Sequence, residues 1–160
     1  MVYEPRIPIA DSYAAAMGRA GYNFAYLEWG IVWLCETLDR GFINTVDDLT
    51  AGQIARHFDE VVKGLPAGAS DKERLETLSG SFIDLVKERN GLMHGRPFTG
   101  EGGEQRLLYR GKGQYKDWTV DCIIDAARAY EVTAIEVGYL LDGGRLKAYQ
   151  TATGIDLTAD

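Results

Sequence analysis

The stretch Lys72-Glu73-Arg74-Leu75-Glu76-Thr77-Leu78-Ser79-Gly80-Ser81-Phe82-Ile83-Asp84-Leu85-Val86-Lys87-Glu88-Arg89-Asn90-Gly91-Leu92-Met93-His94-Gly95 decides the architecture. Leu75, Leu78, Phe82 and Leu85 recur at the three- and four-residue spacing of one helical face. That period predicts a long amphipathic helix running to about His94. Ser70-Asp71-Lys72-Glu73 just ahead matches a capping box, in which the Ser oxygen and the Glu side chain satisfy each other's free amide hydrogens. Gly95 suits the left-handed position past a helix end, and Arg96-Pro97 stops easy continuation. The next place on the apolar face after Leu85 falls to Arg89. A guanidinium keeps its proton, and burying it bare is costly. Arg89 therefore needs a buried carboxylate, a subunit interface or an anionic ligand.

Outward from this helix, the rest of the chain also reads as helical. Residues Met1 to Ala10 hold two prolines and read as an extended arm. Asp11 or Ser12 is a plausible cap for a first long helix ending near Arg40-Gly41, with Met17, Ala20, Phe24, Leu27, Ile31, Leu34 and Leu38 at heptad spacing. Tyr22, Tyr26, Trp29 and Trp33 form a second stripe on nearly the opposite side. A helix apolar on two sides must be covered on two sides. Three readings stay open: a central helix of the domain, a dimer interface built on the stripe, or, last of the three, a surface on which a base or cofactor stacks. Phe42 to Thr50 reads as a polar connection. Thr50 then caps a short helix to about Lys63 with Ile54, Phe58, Val61 and Val62 inward, where His57 reads as structural. Phe98 to Thr119, broken by glycines, reads as a small hairpin or extended loop. Thr119 caps a last helix carrying Val120, Ile123, Ala127, Tyr130, Ala134, Val137 and Leu141 at heptad spacing. Gly143-Gly144 ends or kinks that helix, and Thr151 to Asp160 reads as a frayed tail. The expected fold is all-α: a single-domain, up-and-down bundle of three long helices and one short, with that hairpin or loop before the last helix.

Composition narrows the class. At 160 residues, 46% hydrophobic and 26% charged, the chain is one soluble domain by expectation. Cys35 and Cys122 both sit in helical apolar patterns and read as reduced thiols. No leader or membrane span is read, so a cytoplasmic protein is expected. The net charge of −7 argues against broad nucleic-acid binding. Between Lys87 and Lys116, however, seven basic residues face three acids, a local +4 in a remainder of −11. Arg96, Arg106, Arg110, Lys112 and Lys116 belong to this patch, and either RNA contact or a plain solvated hairpin accounts for it.

Arg89, Asn90 and His94 are the candidate chemistry. RNA is cut without a metal when its 2′-hydroxyl attacks the adjacent phosphorus. That needs a titrating imidazole and a fixed cation on the crowded phosphate. Asn90 can orient either partner through its amide. On an ideal helix Arg89 and His94 point about 140° apart. A loosened turn at Gly91, long side chains or a second copy across a two-fold axis would bring them together. The competing structural reading has His94 capping carbonyls at the helix end and Arg89 paired with Asp84, Glu88 or an acid on another helix.

The segment Arg89-Asn90-Gly91-Leu92-Met93-His94 resembles the signature of the HEPN superfamily: an Arg, a polar residue commonly Asn, then a His at the end of a bundle helix. The layout from about Ser70 to Leu141 is similar too. The resemblance implies a helical bundle that often dimerises. It also implies a metal-independent endoribonuclease, as in toxin–antitoxin and defence systems, with Arg89 and His94 catalytic and Asn90 assisting. No cofactor or metal is expected, and the expected partners are RNA, a second copy, and an antitoxin or regulatory protein. Other members lack activity and bind a partner protein or nucleotide, which is the alternative reading here.

Overall fold

The computed structural model describes residues 7–69, 71–111 and 114–142. The helices are α1 (Asp11–Leu38), α2 (Ala51–Gly64), α3 (Lys72–Met93) and α4 (Val120–Asp142), with a 3₁₀ helix at Phe42–Asp48 between α1 and α2. Strands β1 (Arg96–Thr99), β2 (Gln105–Gly111) and β3 (Gln114–Trp118) lie between α3 and α4. Readings that fall on the N-terminal arm at 1–6, the Ser70 cap, Lys112, the Gly143-Gly144 stop and the tail lie outside the described residues.

The helices follow the periodic apolar positions. Ala20, Phe24, Leu27, Ile31 and Leu34 of α1 are buried, as are Ile123, Ala127, Tyr130, Ala134 and Val137 of α4. These two helices run against each other along most of their length, while α2 packs chiefly on α3. The α1–α4 approach is close at Gly30, where a Cβ would lie 2.8 Å from Val137 Cγ1. At the centre of the core, Phe24 meets Tyr130 edge-on at 5.3 Å and stacks with Phe82 at 6.3 Å. Burying each such ring stabilises the fold by about 1.5–3 kcal/mol.

Local signals placed the ends unevenly. Thr50 caps α2 in a capping box: its Oγ1 accepts from Gln53 N at 3.4 Å, and its own N–H donates to Gln53 Oε1 at 2.8 Å. Thr119 Oγ1 accepts from Cys122 N at 3.2 Å and caps α4. By contrast α1 starts after Ala10, with no side-chain cap and with Asp11 already in its first turn. Along α2, Ala55 rather than Val61 completes the buried face. The connection after α1 is not merely polar loop. Gly41 takes φ 97°, and the Glu36 carboxylate accepts from Gly41 N and Ile43 N at 3.0 Å, which turns the chain into the 3₁₀ helix.

The all-α expectation holds for the helices, and the connection before α4, expected as a small hairpin or extended loop, carries more strand than that. That segment is a three-stranded antiparallel sheet in the order β1-β2-β3. Leu107 of β2 pairs with Pro97 on one side and Trp118 on the other. Pro97, which stops the helix, is tolerated because β1 is an edge strand. Gly95 departs from the left-handed reading as well. Its φ is not positive; a side chain there is excluded because a Cβ would lie 2.9 Å from Leu107 Cβ. The sheet is fastened to the bundle by Tyr13 of α1. Its hydroxyl donates to Trp118 O at 2.9 Å and accepts from Leu107 N at 3.0 Å.

Candidate functional site at the end of α3

Helix α3 buries Leu75, Leu78, Phe82 and Val86 in sequence, and the next turn carries Arg89, half-buried. Its guanidinium carbon lies 5.1 Å from the centroid of the Phe24 ring, a cation–π contact across the α1–α3 boundary. Arg89 Nη1 donates to Asn90 Oδ1 at 3.1 Å. The acids within reach along α3 are taken elsewhere: Asp84 pairs with Lys87 at 2.8 Å and Glu88 with Lys116 at 2.6 Å. Among the described residues, no carboxylate forms an ion pair with Arg89. An aromatic face and one amide oxygen hold this cation in place without an ion pair.

Two groups that sequence reading passed over border Arg89. Glu28 lies one turn along α1 from Phe24 and is half-buried. Burial pushes its carboxyl above the ordinary range, and the charge of Arg89 pulls it part of the way back. Tyr130 is fully buried, and its hydroxyl has no hydrogen-bond partner among the described residues. Burial, with the charge of Glu88 adding to it, raises its phenol, while Arg89 opposes the shift. The signal for Glu28 was present in the chain. It is a carboxylate four residues after Phe24, next to the seam position Leu27.

His94 follows the last residue of α3, with its side chain exposed. Its backbone N–H donates to Asn90 O at 3.0 Å, so the chain around Asn90 also sets the position of His94. Arg89 lies over Phe24 of α1 and His94 is exposed at the helix end; no hydrogen bond joins the two side chains. The turn between them is regular helix. Gly91 packs beneath the sheet, where a Cβ would find Trp118 and Tyr109 at 3.6 Å.

Half of the described basic patch is spent on the protein itself. Arg106 bonds Asp117 Oδ2 at 2.6 Å and also pairs with Glu104. Lys116 bonds Glu88 and sits 3.9 Å from the Trp118 ring centroid. Arg110 lies over Tyr115 at 5.3 Å with its side chain exposed, and Arg96 is exposed on β1. Of the described members, Arg96 and Arg110 are the two with no carboxylate partner. The other histidine, His57, stacks on Phe42 at 4.0 Å, with Nε2 3.1 Å from Asp39 Oδ2, an ion contact when the ring is protonated rather than an aligned hydrogen bond. Among the described residues, no group of three or more His, Cys, Asp or Glu is placed to hold a metal ion.

The aromatic stripe is uncovered in the protomer. Tyr22, Tyr26, Trp29 and Trp33 are 71%, 65%, 50% and 44% exposed, and Val132, Ile135 and Tyr139 of α4 extend the face. Tyr22 sits about 160° around α1 from Phe24. The stripe and Arg89 therefore lie on opposite sides of α1. Among the described residues, no helix is long and apolar enough to cross a membrane. No family model, curated protein or solved structure matches the chain.

Proposed function

We propose that this chain is a metal-independent endoribonuclease of the HEPN type. The observation that carries the reading is Arg89: a half-buried guanidinium, held by Phe24 and Asn90 with no carboxylate partner, five residues before an exposed histidine at the helix end. A fixed cation without an ion pair favours an anion, and a phosphodiester is the anion whose chemistry an adjacent imidazole serves. In this reading Arg89 stabilises charge on the phosphorus, His94 transfers a proton, and Asn90 holds Arg89. Arg96 and Arg110 are the free cations that steer the RNA backbone, with Lys112 as a further candidate. Lys116 and Arg106 serve mainly the fold. Such activity belongs to a toxin or defence component, held in check by an antitoxin or regulatory protein.

Purified protein incubated with mixed RNAs in EDTA is expected to leave 2′,3′-cyclic phosphate ends. Arg89→Ala and His94→Ala are each expected to slow cleavage by about 10²-fold or more. Wild-type protein that leaves every RNA intact under these conditions overturns the reading.

The protein acts as a homodimer in this proposal. Pairing across the ends of α3 sets two Arg89 and two His94 in one cleft. Pairing through Tyr22, Tyr26, Trp29 and Trp33 keeps each site within its own protomer, because the stripe faces away from Arg89. A second reading, a non-catalytic module that binds a partner protein or nucleotide, rests on that same exposed stripe. Full biological function in an Arg89→Ala variant, with loss of function on Trp29→Ala, favours it.

A further inference from the structure

Helices α1 and α4 run parallel. Asn23 Nδ2 donates to Ala127 O at 3.0 Å, Phe24 meets Tyr130, and Gly30 abuts Val137, so position rises along both helices together. Side by side they present one outer face, and its two ends differ. Toward the helix starts the face is hollow. A groove of about 330 Å³ lies there between the helices, with Ala15 and Ala16 on one wall and Ile124 and Ala127 on the other. A second hollow of about 240 Å³ continues it past Tyr22 to Ala134 and Ile135. Toward the helix ends the face is raised. Trp29 and Trp33 stand edge to face with centroids 6.2 Å apart, so each restrains the other, and Tyr139 of α4 is exposed at the same end. One face therefore carries both a ridge and a groove.

The exposed α1 positions on this face are Ala15, Arg19, Tyr22, Tyr26, Trp29 and Trp33. They map onto one another when their order is reversed about a point between Tyr22 and Tyr26. Tyr22 then exchanges with Tyr26, Arg19 with Trp29, and Ala15 with Trp33. A two-fold axis lying in the face and across the helices performs that reversal. We propose that this face is the interface with a second copy of the chain, with α1 antiparallel on the partner's α1 and α4 on the partner's α4. Trp33 of each copy fills the groove at the partner's Ala15. Arg19 forms no ion pair among the described residues, and it lies on the partner's Trp29 ring. Tyr22 packs on the partner's Tyr26. The occupant is a second copy because the fit needs a ridge and a groove in reversed order, and this chain presents both. Each copy offers on the order of 800 Å², one side of a standard interface. Of the two pairings described above, this is the one that keeps each Arg89 within its own protomer, and it does not depend on RNA cleavage.

The test measures self-association of the full chain by sedimentation. Ala15→Trp fills the groove and is expected to raise the dimer Kd about 10-fold or more, although it adds apolar surface. A face that is merely sticky would associate more tightly instead. Trp33→Ala removes the ridge and is expected to weaken the dimer to a similar degree. Mixing the two variants should restore it. In the mixed pair the added indole of one copy takes the room left by the missing Trp33 of the other, and the second ridge-and-groove contact is native. Both positions are exposed, so each variant should melt near wild type. Spin labels then fix the direction. Cys35 is buried, with its thiol pushed up to about 12, and takes no label; Cys122→Ser removes the other thiol. Labels are attached through Ala14→Cys or Ala25→Cys, both exposed. The helical rise sets the two Ala14 labels of a dimer roughly 30 Å apart along the bundle and the two Ala25 labels only about 3 Å. A monomeric wild type, tighter association of Ala15→Trp, no recovery on mixing, or Ala14 labels no farther apart than Ala25 labels overturns the proposal.

Discussion

One guanidinium organises the functional case, because its surroundings immobilise it without an ion pair. Arg89 was legible as an anomaly from spacing alone: the apolar period of α3 reached that place and found a cation. Its carboxylate, had there been one, would have closed the matter. Asp84 and Glu88 were the sequence candidates, and both are bonded to lysines instead. Glu36 shows a carboxylate with a contrasting task. Backbone N–H groups of Ile43 and Gly41, with a smaller contribution from Arg40, hold its carboxyl below the ordinary value of 4.5. A depressed folded value stabilises the fold above the unfolded value and stops doing so as pH falls through the folded one. Glu36→Ala should therefore cost about 1 kcal/mol at neutral pH, a figure already discounted for solvent screening. The difference from wild type should shrink below about pH 4.5 and disappear at lower pH. Urea titrations at a series of pH values check this; a gap that widens on acidification contradicts it.

Among the elements, the helices announced themselves, while the sheet was legible only as a small hairpin or extended loop, without its third strand. Thr caps and apolar residues at fixed offsets mark helix starts and faces within a few residues of chain, so the starts of α2 and α4 and the inward face of α3 were readable. Strand β1, Arg-Pro-Phe-Thr, has neither alternation nor length. It exists because β2 offers it partners and α3 delivers it to that edge. Tyr13 likewise could not be read as a fastener, since its partners Leu107 and Trp118 lie 94 and 105 residues away. Tyr13→Phe keeps the ring and removes the hydroxyl, leaving one amide hydrogen and one carbonyl without this partner. The expected loss is roughly 1–3 kcal/mol. Faster hydrogen exchange should appear at Leu107 before the helices. Unchanged stability and unchanged exchange at Leu107 would mean that the sheet holds to the bundle by packing alone.

On the scale of the whole molecule, α1 divides two faces. One carries Phe24, Glu28 and the contact with Arg89; the other carries the aromatic stripe. The stripe's four aromatic side chains, with Val132, Ile135 and Tyr139, expose on the order of 800 Å², about one side of a standard protein interface. Wild-type protein at micromolar concentration is expected to run as a dimer in light scattering, and Tyr26→Glu combined with Trp33→Glu as a monomer. If the double variant keeps the dimer mass, association runs through another face, with the end of α3 the next to test. By itself the sequence determined the helical periods, the caps of α2 and α4, the misfit of Arg89 and the doubled apolar faces of α1, because each of these is written in spacings shorter than a few turns. The tertiary structure alone decided that Phe24 stands beside Arg89, that Tyr13 ties down a sheet, and that Arg106 and Lys116 of the basic patch are paired with acids. Those outcomes depend on how helices cross and strands pair, and a crossing is set by packing summed over the whole core, which no local spacing records.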